Sequence, residues 1–138
     1  MNKIVFEQEI YTYQIDYVGH LSNIVYIEWM EIGRTKLLEY IGLTFEKMET
    51  ENIAPVLSET EIKYKKSLYL ADKIKIEVWV SELKNASAVI SFNFFNGKNE
   101  LAAIGNQLGL FINLTTKKPH RLTEDQRRSF QKVLIPNN

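Results

Sequence analysis

Four side chains or backbone positions suited to chemistry fall within eight residues of this chain: Asp16, Gly19, His20 and Asn23. They form a short polar loop that leads into Ile24, Val25, Tyr26, Ile27, Trp29, Met30 and Ile32, then Leu37, Leu38 and Tyr40. The first turn of a helix leaves backbone N–H groups unpaired and carries the positive end of the helix dipole. A loop–helix junction of this kind suits a carbonyl oxygen or a developing oxyanion. Taken alone, Asp16 ahead of Tyr-Val-Gly reads as a turn-former. His20 is equally compatible with a substrate contact and with a loop histidine bonded to backbone.

The loop needs elements to hold it. The segment after Asn23 is apolar around most of its circumference, which predicts a buried helix running to Tyr40 or Ile41, with Ser22 or Asn23 as its cap. Gly33 inside it costs about 1 kcal/mol relative to alanine, a loss that close approach of another backbone would explain. Gly42 supplies a stop, and a short helical turn is expected over Phe45 to Glu49. Ahead of the loop, Lys3 to Gln14 reads as a first strand. Behind it the period changes to two. Val56, Ser58, Thr60, Ile62 and Tyr64 share one face; Ile74, Ile76, Val78 and Val80 mark the cleanest strand; Ala88, Ile90, Phe92 and Phe94 mark another. Asn96-Gly97 signals a hairpin, since both residues tolerate positive φ. A last strand carries Ala102, Ile104, Leu108, Leu110, Ile112 and Leu114 on one face and Ala103, Gly105, Gln107 and Gly109 on the other, where small groups leave room for a ligand or a backbone. Thr123 to Gln126 matches a capping box, so a short helix should follow, presenting Phe130, Val133 and Leu134 and ending at Pro136. The expected order is strand, buried helix, four strands in a meander, short helix. This is an α+β domain spanning 1–138.

Composition narrows the function. The chain has 138 residues, with 17 basic and 17 acidic side chains in balance, which disfavours a non-specific nucleic-acid binder. It contains no cysteine, so disulfides, thiol nucleophiles and zinc-thiolate sites are excluded. His20 and His120 lie far apart, and no metal-ligand spacing is present. No run is long and apolar enough to suggest a membrane span, and no signal-peptide core is seen. The expected location is cytoplasmic.

Asp16, Gly19-His20-Leu21-Ser22-Asn23, Tyr26 and Trp29-Met30-Glu31-Ile32-Gly33-Arg34 together resemble the opening motif of the 4-hydroxybenzoyl-CoA thioesterase family. That motif places an acidic residue three before a glycine, follows with Gly-His-Val-Asn-Asn or a variant, and then has a tyrosine opening a helix of Phe-Glu-Glu-Ala-Arg type. Ser22 and Ile32 depart from it, as does Ile15, where a small polar residue is usual. Tyr64 to Asp72 (YKKSLYLAD) resembles the family's strand junction, with Ala71 in place of glycine. Thr115 to Leu122 (TTKKPHRL) resembles its closing segment.

The resemblance implies the hotdog fold: a five-stranded antiparallel sheet wrapped around a long central helix, with a short C-terminal helix. It also implies hydrolysis of an acyl-CoA to free acid and CoA. Asp16 would act as general base to water or as direct nucleophile. Amides between Gly19 and Asn23 would meet the oxyanion, and Gly19, His20, Leu21, Asn23 and Tyr26 would contact substrate. CoA enters only as part of the substrate; no metal or other cofactor is required. A homodimer or dimer of dimers, with sites at the subunit interface, is implied, and neither nucleic acid nor membrane is an expected partner. Glu31 reads as a structural partner of Arg34 first and as a reserve base second. Lys63, Lys65, Lys66, His120 and Arg121 are candidates for CoA phosphates or for plain solvated surface. The rival substrates are acyl-carrier-protein thioesters, and the rival class is a non-catalytic acyl-CoA-binding protein.

Overall fold

The computed structural model describes residues 2–137. Five antiparallel strands form one sheet: β1 (Ile4–Glu9), β2 (Ile53–Tyr64), β3 (Lys73–Leu83), β4 (Ser87–Phe95) and β5 (Leu101–Asn113), in the order β1-β3-β4-β5-β2. A long helix, α1 (Asn23–Tyr40), lies in the concave face. Two short helices, α2 (Phe45–Thr50) and α3 (Glu124–Gln131), complete the chain. This is the hotdog arrangement that the resemblance implies. Only β3, β4 and β5 form a meander. β2 does not pair with its sequence neighbour β3 but with β5, at the far edge. Hydrophobic alternation identifies strands without specifying their neighbours.

Helix α1 buries Val25, Tyr26, Trp29, Met30, Gly33, Leu37 and Leu38 against the sheet. Their spacing is one helical stripe, and each large side chain in it contributes about 1.5–3 kcal/mol of burial. The opposite face leaves Ile24, Ile27, Ile32 and Tyr40 exposed, so the helix is covered on one side and not all round. Gly33 explains the close approach. A Cβ built there would lie 2.9 Å from Val78 Cγ2 and 3.1 Å from Phe92 Cε1. What passes close is sheet side chains rather than a backbone. Gly105 answers from the sheet: its face receives Met30, whose Cε would be 2.8 Å from an added Cβ. The space left at Gly105 is therefore filled by the protein's own helix, not left for a ligand.

Other local expectations shift for identifiable reasons. The first strand stops at Glu9, because Tyr11 to Gln14 turn into a 3₁₀ helix in which Gln14 Oε1 accepts the Tyr11 N–H at 2.8 Å. A bulge between Leu57 and Glu59 resets β2, so that Leu57 faces Gly109 across the ladder while Thr60 faces Gln107 and Ile62 faces Gly105. Leu57 thereby joins the concave set and Ser58 is the extra residue. The β4–β5 hairpin forms at Asn96-Gly97, but its left-handed residue is Asn99. Helix α3 carries the expected capping box between Thr123 and Gln126. It ends at Gln131, well short of Pro136; Leu134 instead makes a parallel bridge to Val80, continuing the sheet edge beyond β1.

Candidate active site

The Asp16 loop is held from both sides. Ile15 bridges Leu21 antiparallel, the Asp16 N–H donates to the His20 carbonyl at 3.0 Å, and the Gly19 N–H returns to the Asp16 carbonyl at 3.0 Å. Gly19 has φ +93°, a conformation other residues resist. The Leu21 N–H donates to the Leu68 carbonyl at 2.8 Å, and both side chains are buried. That contact pins the loop to the connection between β2 and β3. The carboxylate of Asp16 accepts the Val18 N–H at 3.0 Å through Oδ1, and its Oδ2 lies 3.9 Å from His20 Nδ1. The His20 ring meets Tyr69 edge-on, with centroids 6.3 Å apart.

These bonds select among the amides. Gly19, Leu21 and Ser22 spend theirs on Asp16, Leu68 and Gln14. Ser22 occupies the cap position of α1, yet its side chain makes no capping bond. Among the described residues, the N–H groups of His20, Asn23 and Ile24 have no protein partner. The donors able to meet a substrate oxygen thus lie at the helix entrance itself, and Leu21 is a structural wedge whose backbone is occupied.

A cleft of about 220 Å³ opens beside this entrance. His20, Leu21, Asn23 and Tyr26 form one wall; Tyr64, Lys65, Lys66 and Ser67, from the end of β2, form the other. The rings of Tyr26 and Tyr64 meet edge-on at 5.0 Å, and Tyr26 also packs on Phe94 at 5.4 Å. Burial, with Tyr64 and Asp72 adding to it, pushes the Tyr26 phenol well above the ordinary tyrosine range; burial raises Tyr64 too. Asp16, about two-thirds covered, reaches the cleft only through its neighbour His20; neither Asp16 nor Gly19 lines it. Tyr64 and Ser67 have no counterpart in the site expected from sequence. Their signal was the Tyr64–Asp72 stretch, whose likeness gave a strand junction and not a cleft wall.

The remaining candidates separate. Glu31 is largely exposed and pairs with Arg34, which also donates to buried Gln107 at 2.7 Å. Lys66 pairs with Glu100 at 2.8 Å, and that hydrogen bond helps hold the Glu100 carboxyl below the usual carboxylate range. Lys65 has no ion-pair partner among the described residues. His120 belongs to a different end of the molecule, where its Nε2 meets Gln126 Oε1 at 3.0 Å within the capping network of α3. An apolar cleft of about 470 Å³ lies at the C-terminal end of α1, among Arg34, Leu38, Leu43, Phe45, Met48 and Ile53. A larger hollow of about 890 Å³ is on the outer face of the sheet, away from the Asp16 loop. No group of three or more His, Asp or Glu side chains among the described residues could hold a metal ion, and no described helix is long and apolar enough to cross a membrane.

The family model described as the thioesterase-like superfamily matches residues 10–132. The long-chain acyl-CoA thioesterase FadM of Escherichia coli (strain K12) is 27% identical over 124 residues, covering 88% of this chain and 92% of FadM. YneP of Bacillus subtilis (strain 168), provisionally named an acyl-CoA thioesterase, is 24% identical over 113 residues, 82% of each chain. Among solved structures, a DHNA-CoA thioesterase from Staphylococcus aureus superposes with a TM-score of 0.86 at 28% identity, covering 96% of this chain and 91% of that one.

Proposed function

The chain belongs to the thioesterase-like superfamily, and from that premise we propose that it hydrolyses an acyl-CoA to the free acid and CoA, with Asp16 as the reacting carboxylate. The observation that carries this reading is the placement of Asp16 next to His20, which lines a cleft together with the uncapped start of α1. Water attacks the thioester carbonyl as Asp16 takes its proton, or Asp16 attacks first and water then opens the mixed anhydride. The negative oxygen that forms is met by the unclaimed amides of Asn23 and Ile24, in the field of the helix dipole. The thiolate leaves and is protonated. His20, Gly19 and Leu21 hold the loop in shape; Asn23 and Tyr26 face the substrate.

The working unit is a homodimer in this reading. The long strand β2 has one edge paired with β5 and, among the described residues, the other unpaired, and Ile24, Ile27 and Tyr64 are exposed. Unpaired strand edges seek a partner chain, and a second copy would cover both the edge and the open side of α1. Carrier-protein thioesters are the second substrate reading. It is favoured by Lys65 and Lys66 on the rim of the cleft, since a carrier protein presents an acidic surface.

The test is Asp16→Asn, which keeps the oxygen that accepts the Val18 N–H while removing the base. Free-thiol release from a panel of acyl-CoAs should fall by about 10²–10⁴-fold, with the thermal midpoint unchanged. Retention of most of the activity in that variant would place the chemistry elsewhere, and Glu31→Gln would then be the next assay. A wild-type protein inert on CoA thioesters but active on carrier-protein thioesters would select the second substrate.

A further inference from the structure

Among the polar side chains that line the cleft, Tyr26 is the buried one. Tyr26 is only 3% exposed. Its ring is held by Tyr64, Phe94 and Trp29, yet no protein group bonds its oxygen among the described residues. That oxygen is also not sealed away, because among the described residues no fully buried side-chain polar atom lacks a partner. The small exposed part of Tyr26 therefore includes its hydroxyl, and the cleft it lines is shared with His20, Tyr64, Lys65 and Lys66. Opening onto the cleft from an otherwise covered ring, that hydroxyl is placed to bond a ligand acceptor, and a ligand that displaces water without supplying one leaves it unpaired at a cost.

Resting on the thioesterase reading, we infer that the Tyr26 hydroxyl donates a hydrogen bond to an amide carbonyl of the thiol arm of the substrate, making it a specificity-determining residue for amide-bearing thioesters. Two observations choose the arm over the acyl group. The same cleft carries Lys65 and Lys66, and in a CoA thioester the anionic end lies on the arm's side of the sulfur. The cleft is also half polar, whereas the apolar cleft at the far end of α1 is the one suited to hydrocarbon. In the arm, the first amide follows the sulfur after two methylenes, within a side chain's length of the helix entrance. Burial holds the phenol protonated, so it acts as a donor, and the acceptor must come from the ligand.

Tyr26→Phe removes the oxygen and keeps the ring packing. The experiment compares wild type and this variant on one acyl group carried by CoA, by N-acetylcysteamine and by a pentyl thiol that has methylenes in place of the amide. The expected result is a roughly tenfold loss of kcat/KM on the first two, expressed mainly in KM, and no change on the third. An equal loss on all three, or no loss on any, overturns the inference. Binding of a non-hydrolysable S-alkyl thioether of CoA is measured in parallel by calorimetry. If wild type turns over none of the esters, the hydrolase reading fails, and binding then decides the inference separately. Weaker binding by the phenylalanine variant upholds the contact, and equal binding removes it.

Discussion

Arg34 donates a 2.7 Å hydrogen bond to Oε1 of Gln107, tying the middle of the central helix to the strand it crosses. Gln107 is 1% exposed, and its Nε2 reaches Thr60 Oγ1 at 3.4 Å. Arg34 also pairs with Glu31 on its solvent side. Glu31 and Gln107 thus compete for one guanidinium, and the geometry satisfies both. In Arg34→Ala the Gln107 oxygen loses its donor in a place water barely reaches. A loss of about 1–3 kcal/mol is expected, read as a lowered denaturation midpoint. Combining it with Gln107→Leu should cost less than the sum of the two single changes.

The two glycines at the helix–sheet contact should respond differently to alanine. At Gly33 the new Cβ would meet Val78 and Phe92, side chains fixed by burial on the sheet. Overpacking of about 1–3 kcal/mol should outweigh the ~1 kcal/mol gain in helix propensity. At Gly105 the atoms met are the Cε and Sδ of Met30, a flexible tip that swings aside, so the cost should stay below about 1 kcal/mol. Urea unfolding of both variants checks the order.

Thr123 and Gln126 close helix α3 reciprocally. Thr123 Oγ1 accepts the Gln126 N–H at 3.1 Å, and Gln126 Oε1 accepts the Thr123 N–H at 2.9 Å. Thr123→Ala should cost about 1 kcal/mol. Because this helix sits at the other end of the molecule from the Asp16 loop, thiol release per folded molecule should not change.

Tyr26 predicts a loss of stability in base. Its folded value is raised above the ordinary 10.0, so the folded chain keeps a proton that the unfolded chain gives up. The contribution is complete below pH 10 and is lost as pH rises beyond it. Tyr64 acts in the same direction. The thermal midpoint of wild type should therefore fall more steeply above pH 10 than that of Tyr26→Phe; parallel curves would contradict the assignment.

Much of this molecule was legible in the one-dimensional pattern. The period-two runs located four of the strands, the polar loop ahead of an apolar segment located α1, and Gly42, Thr123 and Gln126 marked helix ends through bonds made within a few residues. Such signals are local, so they survive in sequence. The family motif pointed to the Asp16 loop and the start of α1 for the same reason, since its parts lie within one loop and one helix.

The rest depends on contacts between distant segments. Alternation is blind to strand neighbours, so the pairing of β2 with β5 had to come from packing. The bulge at Leu57 then turned one part of that strand over. Apolarity around α1 could not distinguish the face covered by the sheet from the face left open with Ile24 and Ile27. Nor could Gly105 reveal that Met30 fills its space. The wall that Tyr64, Lys65 and Ser67 build opposite Tyr26 exists only because the end of β2 folds back over the start of α1, nearly forty residues earlier in the chain. Sequence determined which atoms are available for chemistry; the tertiary fold decided which amides remain free, which hydroxyl lacks a partner and which space they share.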